Sequence, residues 1–473
     1  MTTTSIERSR ANIFYLGMVC FVAALGGLLF GYDTAVIANA IGLLKKRFEL
    51  GPALEGWAAS CVLAGCMLGV SIAGIFSDRL GRRKTLMLSG ALFLISAIGT
   101  ATPTAFWMFV VFRIMAGMGV GVASMACPMY IAEITPPRIR GRMVSVYQFA
   151  IVSGIFVTYF VNYFIAGKRS DEWNTEMGWR WMFAAGAAPS VLYLLFLLFV
   201  PESPRWLVKQ GRGGEAGGIL AAIDGSESAA GELASIQQSL SQETSGERLF
   251  QRALWPVLAI GIALAVLQQI TGINVFLYYA EKIFKQGGSE KQAALINTVV
   301  VGAVNMLFTI VAIWTIDRLG RKPLMIIGSI GMGLLLLLMG VALQFGSAGK
   351  WMLGLIVPYI AFFALSVGPV TWVLLSEIFP TRVRGRALSL ATLCLWAADW
   401  VVTQTFPMLV PEARNEPGAS THPAILNGAL PFYLYAFFCV VLVATVWRFV
   451  PETKNRTLEE IEHFWGRSSR EER

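Results

Sequence analysis

Residues 268–274 read QQITGIN, which puts three side-chain amides into one apolar stretch. An amide both donates and accepts hydrogen bonds, and in a hydrocarbon environment it needs a partner for each function. The hydroxyls of a neutral polyol match that need, because each also donates and accepts. Gln268 and Asn274 are six residues apart, somewhat under two helical turns, so they project at different angles and depths. The Gly272 between them can loosen a helix there. Gln148 and Asn305 are further amides in apolar runs, and Tyr278 and Tyr279 add polar edges below QQITGIN. Trp372 and Trp396 offer flat faces for the C–H side of a ring, and Phe30 can line the same space. One such amide is ordinarily glue between helices. Five in one chain point to a hydroxyl-binding cavity.

A second chemistry lies in two stranded charges. Asp33 is the one charge in GMVCFVAALGGLLFGYDTAVIANAIGLL, residues 17–44. In a membrane-crossing helix it sits about 16 Å from the C-terminal edge, at a cost of roughly 2.5–3.5 kcal/mol. The one cation at comparable depth is Arg113, in VVFRIMAGMGVG. A neighbouring guanidinium favours the charged carboxylate, and desolvation alone favours the neutral acid. A pair that parts during a conformational change therefore takes up a proton, whereas a pair that never parts is a structural tie between two helices. Asp399 is another acid at depth, and the sequence names no partner for it.

The elements that must hold these residues are membrane helices. The chain has 473 residues, 56% hydrophobic and only 14% charged, where a soluble protein carries about 25% charged residues. Twelve spans are expected near residues 17–40, 57–77, 85–103, 105–131, 143–166, 180–200, 254–280, 291–316, 323–345, 351–379, 387–410 and 430–449. The first is too long for a signal peptide and has no small-residue cleavage site. Lys and Arg concentrate in alternate loops, which places both termini in the cytoplasm. The net charge of +9 then describes loops facing anionic lipid and gives no case for nucleic acid. All six cysteines fall in apolar spans without metal-ligand spacing, and His422 and His463 lie in an outer loop and the tail, so neither metal nor cofactor is expected.

The chain repeats itself. DRLGRRK at 78–84 returns as DRLGRKP at 317–323, AEITPPRIRGR at 132–142 as SEIFPTRVRGR at 376–386, and PESPRW at 201–206 as PETKNR at 451–456. The offsets are 239, 244 and 250 residues, in one order, which indicates a duplicated six-span unit. The expected division is 1–202, a polar linker at 203–252 with amphipathic helices, 253–450 and a tail at 451–473. An irregular outer loop is expected at 411–423. Two such units around a mid-membrane site is the architecture of secondary transporters. The repeated motifs set acids and arginines where helices meet the cytoplasm: Asp78 with Arg82, Glu133 with Arg142, Glu202 with Arg205, and the copies Asp317, Arg321, Glu377, Arg386 and Glu452. Charges of both signs between two rocking units form a latch that closes in one state and opens in the other. Arg83 and Lys84 suit plain headgroup anchoring.

GGLLFGYDTAV, the doubled DRLGRR/K motif, PESPRWL, QQITGIN and PETKNRTLEE together resemble the sugar porter family of the major facilitator superfamily, in that family's order and over essentially the whole chain. GYDTAV, CPMYIAE and GPVTWVLLSEIFP narrow the resemblance to its bacterial proton–xylose symport branch. The resemblance implies an all-α membrane protein with the major facilitator fold, twelve transmembrane helices in two six-helix halves joined by cytoplasmic linker helices. It implies that spans one and four are neighbours, with Gly117, Gly119 and Gly121 allowing close approach. It implies that Phe30, Gln148, Gln268, Gln269, Asn274, Tyr278, Asn305, Trp372 and Trp396 line a sugar site, and that Asp33 with Arg113 couples a proton. Two positions depart from the pattern. Leu395 stands where such symporters have an amide, and Asp399 where similar proteins tend to carry Asn.

Three functions fit these residues: proton–monosaccharide symport by alternating access, facilitated sugar uniport with Asp33–Arg113 as a structural tie, and sugar sensing by a transporter-like fold. Only about 20 residues follow PETK, which is short for a signalling tail. No nucleophile–base pair, metal set or phosphate loop supports an enzyme or an ATP-driven pump. The partners implied are a monosaccharide, protons and lipid, for a monomer in the bacterial inner membrane.

Overall fold

The computed structural model describes residues 3–136, 139–242, 251, 254–286, 290–345, 351–380, 383–410 and 428–454. His422, His463 and the loop expected at 411–423 lie outside the described residues. All regular structure among the described residues is helical. Twelve segments are long and apolar enough to cross a membrane: Tyr15–Phe48, Pro52–Leu80, Arg82–Ala101, Phe106–Ile134, Arg140–Ala166, Asp171–Leu197, Trp255–Tyr278, Gln292–Ile316, Arg321–Gln344, Trp351–Ile378, Arg384–Leu409 and Leu430–Phe449, here spans one to twelve.

The largest departures from the expected boundaries are at spans one and six. Span one does not stop near residue 40, because helix Thr3–Ala35 passes through Val36 directly into Ile37–Phe48. Its last turn carries Lys45, Lys46 and Arg47, cations that suit the negative end of a helix dipole. Span six starts at Asp171 rather than near 180. Its opening DEWNTEMG is too polar to read as membrane helix, and the Ser170 hydroxyl caps it by accepting the Trp173 N–H at 3.3 Å.

Glycines set the closest helix contacts. A methyl on Gly117 would strike the Val62 carbonyl, and one on Gly65 the Ile114 carbonyl, so spans two and four meet backbone to backbone. Spans one and four do touch, but not through the glycines singled out above. Gly117 and Gly121 face span two, Gly119 faces Leu92 and Phe93 of span three, and span one is instead drawn against span five through Gly31 and Gly154.

The repeat is visible at the end of the molecule that carries the Arg-rich motifs, here called the basic end. Gly81 and Gly320 turn the chain between spans two and three and between spans eight and nine with φ of +91° and +93°. After each turn, an acid from the end of the same unit caps the new helix. Glu202 accepts the backbone N–H of Arg82 at 2.8 Å and of Arg83 at 3.2 Å. Glu452 accepts those of Arg321 and Lys322, both at 3.0 Å. Burial opposes ionisation of Glu452, yet the N–H groups of Lys454, Arg321, Lys322 and Thr453 hold its carboxyl below the usual glutamate range. The cap thus contributes stability above that range and loses it as pH falls below. The linker forms helices Pro204–Lys209, Gly213–Asp224 and Ser226–Gln242, the second of which packs against helix Thr3–Ala35.

Candidate functional site

Span seven is broken at its centre, and the break builds the site. Helix Trp255–Ile270 ends at Thr271, Gly272 adopts φ of +87°, and the chain resumes as Ile273–Tyr278. A side chain at 272 would be strained and would run into the Tyr435 ring. Gln268 and Gln269 close one segment and Asn274 opens the next, so the amides meet across the break. Asn274 Nδ2 donates to Gln269 Oε1 at 2.8 Å, and Gln269 Nε2 to Gln268 Oε1 at 3.4 Å. Gln268 Nε2 is tied to span ten through the carbonyls of Val367 and Gly368 at 3.2 and 3.1 Å.

The partners of Asp399, which the sequence does not supply, are in this cluster. Asn274 Nδ2 donates to its Oδ2 at 2.7 Å, and the Tyr278 hydroxyl reaches the same oxygen at 3.5 Å. The Thr403 hydroxyl donates to Oδ1 at 3.1 Å. One signal was readable, since Asp399 and Thr403 are four apart on one helix face.

Aromatic residues join the two units beside the amides. The rings of Phe30 in span one and Trp396 in span eleven lie 5.7 Å apart. The Trp396 indole N–H is buried and has no protein partner among the described residues. A donor left so costs about 1–3 kcal/mol unless something else accepts from it. Gln148, Asn305 and Trp372 lie on spans five, eight and ten and make no side-chain hydrogen bond or ring contact to this cluster among the described residues. Gln148 and Trp372 are half-buried, and Asn305 is buried.

Asp33 and Arg113 do meet. Arg113 Nη1 lies 3.0 Å from Asp33 Oδ1 and donates also to the Asp33 carbonyl at 3.2 Å. The arginine is fully buried while the Asp33 side chain keeps 16% exposure. Asp33 Oδ2 and Arg113 Nε and Nη2 have no protein partner among the described residues. Asp33 borders a small cavity lined by Leu29, Tyr32, Phe93, Phe183 and Ser190. The guanidinium also stands over the Phe183 ring at 5.4 Å, a cation–π contact that helps to hold it there.

At the basic end the charges pair differently from the sequence expectation. Arg82, at the start of span three, sits bidentate on Glu133 with both contacts at 2.8 Å and reaches Asp78 at 3.5 Å. Glu133 is therefore matched with Arg82, not Arg142, because Arg142 starts span five beyond a turn and is exposed. Likewise Glu202 spends its oxygens on the backbone N–H groups of Arg82, Arg83 and Ser203 rather than on Arg205. The second unit copies the first: Arg321 pairs with Glu377 at 3.1 Å, and Thr453 bonds Glu377 as Ser203 bonds Glu133. The Asp317 side chain lies outside the described residues, and Arg386 is exposed on span eleven. Both arginine–glutamate pairs stay within one unit.

The opposite, far end holds contacts that cross between units, and the sequence reading missed them. Lys282 donates to the buried Glu55 of span two, with Lys45 at 3.8 Å from the same carboxylate. Asn39 donates to Glu281 at 3.0 Å and accepts from Asn162 at 3.1 Å. Ser60 donates to Gln404 at 2.8 Å, and the Tyr159 hydroxyl to the Leu277 carbonyl at 2.7 Å. Asn39 and Asn162 are amides in apolar runs, the same signal that marked QQITGIN.

Two six-helix units, a broken central helix and polar clusters buried between the units define a twelve-span transporter with the major facilitator fold. The model of the family described as "Sugar (and other) transporter" matches residues 19–465. The arabinose-proton symporter of Bacillus subtilis is 42% identical over 97% of each chain. The D-xylose-proton symporter of Escherichia coli is 41% identical over 96% of each. The structure of the xylose transporter XylE from Escherichia coli in a partially occluded inward open conformation superposes with a TM-score of 0.83 at 39% identity, covering 94% of this chain and 99% of that one. The chain belongs to the sugar transporter family, as the sequence motifs had indicated, and that family consists of transporters rather than enzymes.

Proposed function

We propose that this protein is a proton–monosaccharide symporter of the bacterial inner membrane, working as a monomer with both termini in the cytoplasm. The unit at 1–202 rocks against the unit at 253–450, with 203–252 and 451–473 on the cytoplasmic face. The observation that carries the reading is the pairing of two sites across the unit boundary. The first unit holds the buried Asp33–Arg113 pair, and the second holds the amide cluster with Trp396, which touches Phe30 only three residues from Asp33. A protonation change at Asp33 can thus reach span one's contact with the sugar wall. Gln268, Gln269, Asn274, Tyr278, Trp396 and Phe30 form that wall, and Gln148, Asn305 and Trp372 complete it when sugar is bound. The relatives named as arabinose and xylose symporters support a pentose or hexose as substrate. The test is uptake of labelled pentoses and hexoses by proteoliposomes, with and without a pH gradient. Accumulation of one sugar only when the gradient is imposed is expected, and equal uptake without it rejects symport.

Two consequences follow for single residues. Gln269→Ala or Asn274→Ala removes a hydrogen-bonding partner worth about 0.5–1.5 kcal/mol, so sugar affinity measured by equilibrium binding falls by up to about tenfold. Unchanged affinity in both variants removes these amides from the site. Asp78, Arg82, Glu133, Arg142, Glu202, Asp317, Arg321, Glu377, Arg386 and Glu452 act as the cytoplasmic latch, in which Arg82–Glu133 and Arg321–Glu377 pair within each unit when the cytoplasmic end is parted. Glu133→Gln should therefore change the transport rate more than the binding affinity, and the reverse outcome would argue against a latch.

A further inference from the structure

We infer that Asp399 is a specificity-determining positioning residue: it holds Asn274 so that the sugar hydroxyl meeting this amide must donate its hydrogen. The inference rests on the sugar-site reading above and deepens it. The amide chain is anchored at both ends by groups that accept. At one end Gln268 Nε2 is committed to the carbonyls of Val367 and Gly368. Its Oε1 therefore faces Gln269, whose Nε2 donates to it. Gln269 Oε1 in turn accepts from Asn274 Nδ2. At the other end the second Asn274 N–H goes to Asp399 Oδ2, which accepts it at 2.7 Å. Both hydrogens of Asn274 are thus consumed, and the orientations of all three amides are forced.

What remains for a ligand is the Asn274 oxygen. Asn274 is only half-buried, and its Oδ1 has no protein partner among the described residues. Asp399 Oδ2 also takes the Tyr278 hydroxyl at 3.5 Å, so it stands as an acceptor toward Asn274. Leu395, one turn earlier on the same span and fully buried, contributes no polar group. Trp396 keeps one unpaired N–H, so the wall offers a fixed acceptor at Asn274 and a fixed donor at the indole. A monosaccharide with a free hydroxyl opposite Asn274 satisfies it. One with a carbonyl, ether or halogen there brings an acceptor against an acceptor and is rejected.

The experiment is equilibrium binding of a transported sugar and its complete set of monofluoro-deoxy analogues to the purified protein, since fluorine replaces a hydroxyl without being able to donate. At one ring position the analogue should lose roughly tenfold or more in affinity, the order of one hydrogen bond missed by an otherwise unpartnered amide oxygen. Asp399→Leu, similar in size and apolar, releases one Asn274 N–H toward the ligand and should shrink that loss to about twofold while other positions keep theirs. Asn274→Ala leaves Asp399 in place and should erase the difference between sugar and analogue, a readout that stands even if Asp399→Leu cannot be purified. The inference is overturned if no analogue loses more than about twofold, if Asp399→Leu keeps the full loss, or if Asn274→Ala keeps it. Failure of every unmodified pentose and hexose to bind overturns the sugar reading itself and the inference with it.

Discussion

Asp33→Asn protein is expected to bind sugar and to exchange it across a bilayer, yet to lose all accumulation against a gradient. Asparagine keeps the size of the side chain and can still accept from Arg113 Nη1, now 3.0 Å from Asp33 Oδ1, but it cannot take up a proton. One proton carried per sugar lets each unit of ΔpH support about tenfold accumulation, and in this variant the ratio should fall to one. Binding and exchange need no change of protonation and should persist. The pair is incompletely bonded: Oδ2 of the acid and two guanidinium nitrogens have no protein partner among the described residues, and Phe183 contacts the cation independently of Asp33. Leaving Arg113 without a counterion is destabilising, since removing one member of a buried pair costs about 3–5 kcal/mol. The variant must therefore first be shown to purify as a folded, monodisperse species. A folded Asp33→Asn protein that still accumulates sugar fully would make the pair a structural tie and turn attention to Asp399.

Much of this arrangement was legible because each signal is local in sequence and has one physical reading. The apolar runs gave the spans, the doubled DRLGR motif gave the two units, and Asp33 and Arg113 were the charges left stranded at depth. The basic-end pairings were legible only as a set. A motif says that Glu133 needs a cation, but whether Arg82 or Arg142 supplies it depends on how spans three, four and five are packed. The polarity of the amide cluster was hidden for a related reason. It arises from the backbone break at Gly272 and from carbonyls of span ten about a hundred residues away, which no spacing rule encodes. The far-end contacts were hardest to see. Glu55 and Lys282 look like ordinary polar residues at helix ends, and their importance lies in being brought together from separate units.

Breaking that far-end contact should tilt the conformational balance of the whole molecule. Glu55 is nearly fully buried and takes its hydrogen bond from Lys282 of the other unit, with Lys45 close by. In the proposed orientation a state open to the outside parts the units there, so the contact exists only when the far end is closed. Its differential energy acts directly on the equilibrium between the two states. A buried ion pair broken by removing one member costs about 3–5 kcal/mol, of which only the part not recovered by hydration in the open state counts. A shift of one to two orders of magnitude toward the outward-open state is thus expected for Lys282→Ala, and a similar one for Glu55→Gln. The readout is labelling of a single cysteine introduced at Asn305 by an impermeant maleimide added outside right-side-out vesicles, after the half-buried Cys394 has been replaced. Labelling should rise in both variants, sugar affinity from outside should increase, and net uptake should slow because the closed state is harder to reach. Combining the two substitutions should add little to either alone, since both remove the same contact. Unchanged labelling in both single variants would mean that the ion pair does not close the far end, and would leave that task to Asn39–Glu281 and Ser60–Gln404.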